Sequence, residues 1–123
     1  MDKNDPYLSY WREQQKQQDK QNQYLAQQAR KNLETIIDYL TKTFPIKKII
    51  LFGSLVKNKF TETSDIDLAV EGIPPALYFS ALAQVNALGD RWIDLKPLED
   101  LNPHFLQRVM ETGEVLYASE DSE

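Results

Sequence analysis

Three aspartates in this sequence have the type and spacing that suit metal-dependent chemistry. Asp65 and Asp67 alternate with apolar residues in the run DIDLAV. A strand there would turn both carboxylates to one face, about 7 Å apart. The run RWIDLKP predicts another strand, with Asp94 on the same face as Trp92. If the two strands are neighbours, the three carboxylates form one cluster, and a cation such as Mg²⁺ would relieve their mutual repulsion.

A Gly-Ser pair ends the apolar run IKKIILF and suits the phosphate half of such a site. Gly53 lets the backbone approach a phosphate closely, and Ser54 begins a predicted short helical turn whose N–H groups can hold phosphate oxygens. Lys57 and Lys59 are the nearest basic side chains. A Gly-Ser pair alone is usually a turn, and an Asp-x-Asp pair alone is usually a solvated sheet face. Their ordered combination with a second acidic strand is far more specific.

Composition narrows the class of protein. The 123 residues suffice for one domain; the absence of cysteine and the single histidine, His104, argue against disulfides and against a thiolate or histidine-rich zinc site. Residues 45–123 carry seven Lys/Arg against thirteen Asp/Glu. This excess of negative charge argues against direct nucleic-acid binding, which depends mainly on basic side chains that neutralise phosphates. With no export signal and no long apolar run, we predict a cytoplasmic protein without membrane contact. His104 is expected to be structural or exposed.

The elements that must position these residues follow from periodicity and from Gly and Pro. Residues 11–43 lack both and predict a long helix, polar and Gln-rich at first, with an apolar stripe from Leu25 to Phe44. Strands are predicted at 46–52 and 65–70, in RWIDLKP and in EVLY. Further helices are predicted in PPALYFSALAQVNALG and from Asn102 to Gly113. This order predicts an α/β fold.

The predicted organisation is a single domain with extensions. Residues 1–44 form a polar N-terminal segment and long helix, 45–117 form the core, and 118–123 form an acidic tail expected to be disordered. Five aromatic residues are expected in the core: Phe52, Phe60, Tyr78, Phe79 and Phe105. Three others lie before the polar helix and could dock a partner or fold back on the domain, two alternatives that the sequence leaves open: Tyr7, Tyr10 and Trp11.

The order of strand, Gly53-Ser54, ten residues, Asp65 to Asp67, helix and a strand with Asp94 resembles the nucleotidyltransferases of the DNA polymerase β superfamily. It is similar in particular to the minimal nucleotidyltransferases (MNT) that are paired with HEPN proteins in prokaryotic toxin–antitoxin modules. The resemblance covers about residues 46–117 and implies a small mixed β-sheet flanked by helices. One departure is Leu55, because many relatives carry a basic residue directly after Gly-Ser.

The resemblance also implies an activity and a partner. Asp65 and Asp67 would hold two Mg²⁺ ions on the triphosphate of ATP, and Asp94 would ligate the ion at the acceptor and help to deprotonate its hydroxyl. Gly53 and Ser54 would position the β and γ phosphates, with Lys57 as the basic candidate beside them. The protein would then be a protein adenylyltransferase and antitoxin. It would silence a cognate HEPN toxin, an RNase, by transferring AMP to a toxin tyrosine.

Two alternatives remain open from the sequence. A binding-only antitoxin could occlude its toxin through the long helix without using ATP. A nucleotidyltransferase for a small hydroxylated molecule is the other, and it would need a pocket formed by homo-oligomerisation, because the chain has no residues left for a second domain.

Overall fold

The computed structural model describes residues 5–120. A long helix and two strands come first, and helices and strands then alternate, with single 3₁₀ turns at Pro75–Leu77 and Leu98–Asp100. The main elements, in order, are α1 (Pro6–Thr43), β1 (Lys48–Phe52), β2 (Ile66–Glu71), α2 (Tyr78–Ala87), β3 (Ile93–Pro97), α3 (Pro103–Thr112) and β4 (Glu114–Ala118).

Helix α1 is longer than the sequence prediction, because it begins at Pro6 rather than Trp11. The Asp5 carboxylate caps it by accepting a hydrogen bond from the Tyr7 amide at 2.9 Å, and proline suits the first helical position. Its 38 residues span about 57 Å. The predicted stripe is confirmed in the second half of the helix, where the buried residues are Ala29, Leu33, Ile36 and Leu40.

The four strands form one mixed sheet in the order β3-β2-β1-β4. β1 is antiparallel to both β2 and β4, whereas β2 and β3 are parallel and are joined through α2. The predicted fold class is therefore confirmed: a small mixed sheet flanked by helices, with a long N-terminal helix.

The two faces of the sheet are covered differently. On one face, α1 and α2 bury the main core, which includes Leu51, Leu68 and Leu95. On the other face a smaller cluster joins the sheet to α3 and the 3₁₀ turn before it, through Ile50, Ala69, Leu98 and Val109. This second face also carries Asp67 and Asp94, because side chains two apart on a strand point the same way. Asp67 and Asp94 therefore lie beside this smaller apolar cluster.

An ion pair ties α1 to the far edge of the sheet. The two terminal guanidinium nitrogens of Arg30 each donate to a carboxylate oxygen of Glu114 at 2.9 Å. This paired hydrogen bonding lowers the pKa of Glu114 and raises that of Arg30. The contact holds the second half of α1 over β4.

Two local predictions are corrected by the structure. The helical turn predicted from Ser54 through Phe60 is shorter than expected: the Lys57 amide donates to the Gly53 carbonyl at 3.2 Å, but Asn58 has a positive φ of 57°, whereas α-helical residues have negative φ. Phe79 is 79% exposed, whereas Phe60 is buried as predicted. Helix α2 buries Ala81 and Val85, and Phe79 lies off the face that they share. The other predicted aromatic core residues, Phe52, Tyr78 and Phe105, are partly buried.

Within residues 5–120, no helix is long and apolar enough to cross a membrane. The predicted acidic tail lies partly outside the described residues, and its first residue, Ala118, ends β4.

Candidate active site

The candidate site lies where β1 ends and β2 and β3 begin. Asp67 and Asp94 occupy the second position of their parallel strands and are direct partners in the register, so their backbones are about 4.8 Å apart. Asp67 also pairs with Phe52, the last residue of β1. Asp65 directly precedes β2 and is exposed. The structure thus places the three predicted carboxylates together at one end of the sheet.

The carboxylates repel one another. Burial, followed by the charges of Asp94 and Asp65, raises the pKa of Asp67 from 3.8 to about 6, and Lys96 opposes the shift. The Lys96 ammonium lies 3.3 Å from a carboxylate oxygen of Asp94. One lysine therefore offsets part of a three-carboxylate cluster, and the remaining negative charge favours a bound cation.

Gly53 forms the wall of the site nearest to Asp67. Its φ of +82° is in the left-handed region, and a β-carbon at this position would overlap the Asp67 carboxylate. Glycine is therefore required twice, by the backbone conformation and by the close approach of the aspartate. Ser54 follows in a half-buried position, and Lys57 is exposed on the same turn. The predicted phosphate-binding residues thus border the carboxylates.

Leu55, the departure from the family pattern, has a structural role. It is 2% exposed and belongs to the main core, so its side chain faces away from the solvent around Ser54. A basic residue with this orientation would be buried without a partner. The exposed lysine of this turn is Lys57, two residues later.

The donor set suits Mg²⁺ in its chemistry. Carboxylate oxygens are hard ligands, and Mg²⁺ is commonly held by one or two carboxylates together with substrate phosphates rather than by a cage of protein ligands. In the described part of the chain, no three acidic, histidine or cysteine side chains converge tightly enough to enclose an ion by themselves. The site therefore fits a cation that arrives with a phosphate group.

A cleft of about 780 Å³ opens beside Asp65. One wall comes from the second half of α1, including Gln28 and Asn32, and the other from the segments around Asp65 and Trp92. Trp92 is 55% exposed. Asp65 lines this cleft, whereas Asp67 and Asp94 do not, so the cleft meets the acidic cluster only at Asp65.

Sequence reasoning missed three residues near the site. Lys96 follows Asp94 by two positions, so strand periodicity alone could have placed it on the same face. The Tyr78 hydroxyl donates to the Leu95 carbonyl, and burial together with Asp94 raises its pKa. Arg91 binds backbone carbonyls, which leave no signal in the sequence. His104 was expected to be either structural or exposed, and the structure shows that it is exposed.

Comparison with protein-family models gives a match over most of the chain. The family model described as "Polymerase beta, Nucleotidyltransferase" matches residues 34–122, which is most of the chain. The chain belongs to the polymerase beta nucleotidyltransferase family. The predicted superfamily is thereby confirmed, and the matched range contains both the Gly-Ser turn and all three aspartates.

Curated relatives come from Methanocaldococcus jannaschii. One, named "Putative protein adenylyltransferase MJ1547", is 31% identical over 72 residues, which are 58% of this chain and 56% of the relative. Another of the same description, MJ0604, is 34% identical over 79 residues, or 58% of this chain and 79% of the relative. The chain spans about half the length of the first of these proteins.

Solved structures with the same fold include chains from toxin–antitoxin complexes. One complex, crystallised with AMP-PNP, matches with a TM-score of 0.64 and 25% identity over 71% of this chain and 73% of the other. A mutant of the MntA-HpeT toxin–antitoxin matches with a TM-score of 0.61 and 26% identity over 71% and 72%. A complex of tri-AMPylated Shewanella oneidensis HEPN toxin with MNT antitoxin shares the fold, at 24% identity over 74% and 73% and a TM-score of 0.58.

Proposed function

We propose that this protein transfers AMP from ATP to a hydroxyl group of a partner toxin, with release of pyrophosphate, and thereby neutralises the toxin. The observation that carries the proposal is the pairing of Asp67 with Asp94 in register, with Asp65 and the Gly53-Ser54 turn at the same end of the sheet. Membership of a nucleotidyltransferase family supports the reaction class.

In this proposal the three carboxylates are the metal ligands. Asp65, Asp67 and Asp94 would hold Mg²⁺, which when bound would neutralise the triphosphate and lower the pKa of an acceptor hydroxyl. Asp67 must be ionised to act as a ligand, and its raised pKa means that a cation competes with a proton at this carboxylate. Asp94, whose carboxylate lies 3.3 Å from the Lys96 ammonium, would ligate the ion at the acceptor hydroxyl.

The turn after β1 would bind the phosphates. Gly53 leaves space in which a phosphate can approach the backbone, and Ser54 offers a hydroxyl beside it. Lys57 is exposed and free to swing towards bound phosphates, so it could supply the positive charge that Leu55 lacks. A complex with AMP-PNP among the similar structures supports ATP as the donor.

A partner protein is the proposed acceptor. Similar chains come from toxin–antitoxin complexes at 25% and 26% identity, which favours a toxin as the partner of this chain as well. We extend the proposal to a HEPN toxin with a tyrosine as the modified residue. Tyrosine offers a hydroxyl that metal ligation can activate.

Neutralisation by binding alone is the second candidate. Its support is α1, whose first half projects in a solvated form and begins with three exposed aromatic residues, Tyr7, Tyr10 and Trp11. Trp11 contacts both tyrosines edge to face, at 6.0 and 5.9 Å between ring centroids. Exposed aromatic side chains are common in protein interfaces.

Protection of cells from the proposed partner toxin separates the two candidates. The test variant combines Asp65→Asn with Asp67→Asn, and the control combines Glu34→Gln with Glu111→Gln, two exposed positions with the same change in charge. At equal expression, the proposal expects the control to protect and the test variant to fail. Full protection by the test variant would establish neutralisation by binding.

A further inference from the structure

We propose that Arg91 is a positioning residue that holds the Asp65 carboxylate at the site. The inference rests on the proposed function, because it assigns Arg91 a role toward a predicted metal ligand. It concerns the loop of residues 61–64, which leads directly into Asp65 and β2.

Arg91 binds this loop through backbone carbonyls. One terminal nitrogen of its guanidinium lies within hydrogen-bonding distance of three carbonyl oxygens, at 3.2 Å from Thr61, 2.8 Å from Glu62 and 3.1 Å from Ser64. Hydrogen bonds from a charged donor are stronger than those from a neutral one. Within residues 5–120, Arg91 has no carboxylate within ion-pair distance. Its charge is therefore directed at the loop backbone.

The guanidinium is itself anchored to the core. Its central carbon lies 4.8 Å above the centre of the Phe60 ring, and Phe60 is 2% exposed. A cation over an aromatic face is attracted to it, and the flat guanidinium suits this stacking. Arg91 thus joins a fixed aromatic residue to the loop that starts at the next position.

Asp65 depends on the backbone for its position. The side chain is exposed, and within the described residues it makes no hydrogen bond or ion pair that would orient it. Its two neighbours are held: Ile66 donates its amide to the Trp92 carbonyl at 3.0 Å, and Ser64 accepts from Arg91. Both contacts come from residues 91–92, which lie just before Asp94. The segment therefore fixes the strand with Asp94 and the loop with Asp65 relative to each other.

Among residues 5–120, the hydrogen bonds of the loop 61–64 are those from Arg91 and those within the loop. Its internal bonds close it on itself: the Thr61 amide donates to the Ser64 hydroxyl at 2.9 Å, and the Ser64 amide donates to the Thr61 carbonyl at 3.1 Å. These bonds shape the loop, whereas Arg91 sets where it sits. Removing Arg91 should leave the loop folded and let it move, with Asp65 moving too.

The test uses Arg91→Met, which keeps an unbranched apolar stem over Phe60 and removes every donor. Arg91→Lys restores the charge and donors, and Arg30→Met is the matched control, because Arg30 also joins two elements but lies at the ion pair with Glu114. If Arg91→Met does not fold, Arg91→Gln takes its place. Amide hydrogen exchange at Ser64 and Ile66 is measured without metal or nucleotide. The dissociation constant of Mn²⁺ is measured with AMP-PNP present.

Arg91→Met should exchange faster at both amides and bind Mn²⁺ about 10- to 100-fold more weakly, the usual range for a residue that orients a metal ligand. Arg91→Lys should recover much of the affinity, and Arg30→Met should match the wild type. Wild-type exchange or wild-type affinity in Arg91→Met would overturn the inference. If the wild-type protein does not bind Mn²⁺ with AMP-PNP, the proposed function fails and the role toward a metal ligand falls with it, while the exchange data still decide whether Arg91 holds the loop.

Discussion

Replacing Asp67 by asparagine should stabilise the folded protein at neutral pH while removing a residue on which the proposed chemistry depends. The pKa of Asp67 rises from 3.8 to about 6 on folding, first through burial and then through repulsion by Asp94 and Asp65. The folded protein therefore holds this proton more tightly than the unfolded chain does. Above pH 6 the native carboxylate must ionise at a cost, and asparagine avoids that cost with nearly the same shape.

The size of the effect follows from the shift. Two pKa units correspond to about 3 kcal/mol. Because Asp67 remains half-exposed, solvent screening reduces the expected gain to about 1–1.5 kcal/mol in the free energy of unfolding. For a domain of this size that is roughly a 3–7 °C rise in Tm. The contribution of Asp67 to wild-type stability is present below pH 4 and is lost as the pH rises through 6. The advantage of Asp67→Asn should therefore grow across that window.

Urea unfolding in EDTA at pH 4.5, 6 and 7.5 measures this difference, with Glu34→Gln as the control for net charge. Adding Mg²⁺ with AMP-PNP should reverse the order at pH 7.5, because a ligand that binds only the folded state stabilises it and the wild type should bind more tightly. If Asp67→Asn is no more stable than the wild type at pH 7.5, or if its advantage does not change with pH, the reasoning from clustered carboxylates is refuted.

Three further predictions test the surroundings of the site. Gly53→Ala should lower the free energy of unfolding by about 2–3 kcal/mol in urea titrations, because alanine would have to adopt a positive φ and its β-carbon would overlap the Asp67 carboxylate. An unchanged urea midpoint would contradict this. Leu55→Lys, which restores a basic residue after Gly-Ser, should destabilise the fold by about 3 kcal/mol or more and not raise activity, since the position is buried; a stable, more active variant refutes it. A double-mutant cycle of Arg30→Ala and Glu114→Ala should give a coupling of about 0.5–1 kcal/mol, the range for an exposed bidentate pair; no coupling would show that the pair does not contribute.

The strands and their acidic residues could be predicted because the signals are local. Alternation in DIDLAV and RWIDLKP gives both the strand and the face on which the aspartates lie. The contact between Asp67 and Asp94 needed one more assumption, that the two strands are neighbours. A strand, helix and strand in sequence usually form such a parallel pair, and the register here is direct.

The features that were not predicted depend on tertiary contacts or on a local signal that the sequence reasoning missed. Asp5 and Pro6 form the N-terminal cap of α1, a local signal that the sequence prediction, which began the helix at Trp11, did not use. Phe79 looked like a core residue, but its neighbour Tyr78 occupies the face of α2 that meets the sheet. The inward orientation of Leu55 follows from a turn whose shape the sequence did not reveal. Arg91 binds backbone carbonyls, and because every residue has a carbonyl, the sequence gives no sign of this contact.

The measurement that tests the central claim most directly is intact mass spectrometry of the proposed partner toxin, after incubation with this protein, Mg²⁺ and ATP. The account predicts a mass increase of one or more AMP units that disappears when Asp65→Asn is combined with Asp67→Asn. The Glu34→Gln and Glu111→Gln control should still produce the increase. An unmodified toxin that nevertheless forms a stable complex with the wild-type protein would contradict nucleotidyl transfer as the mechanism.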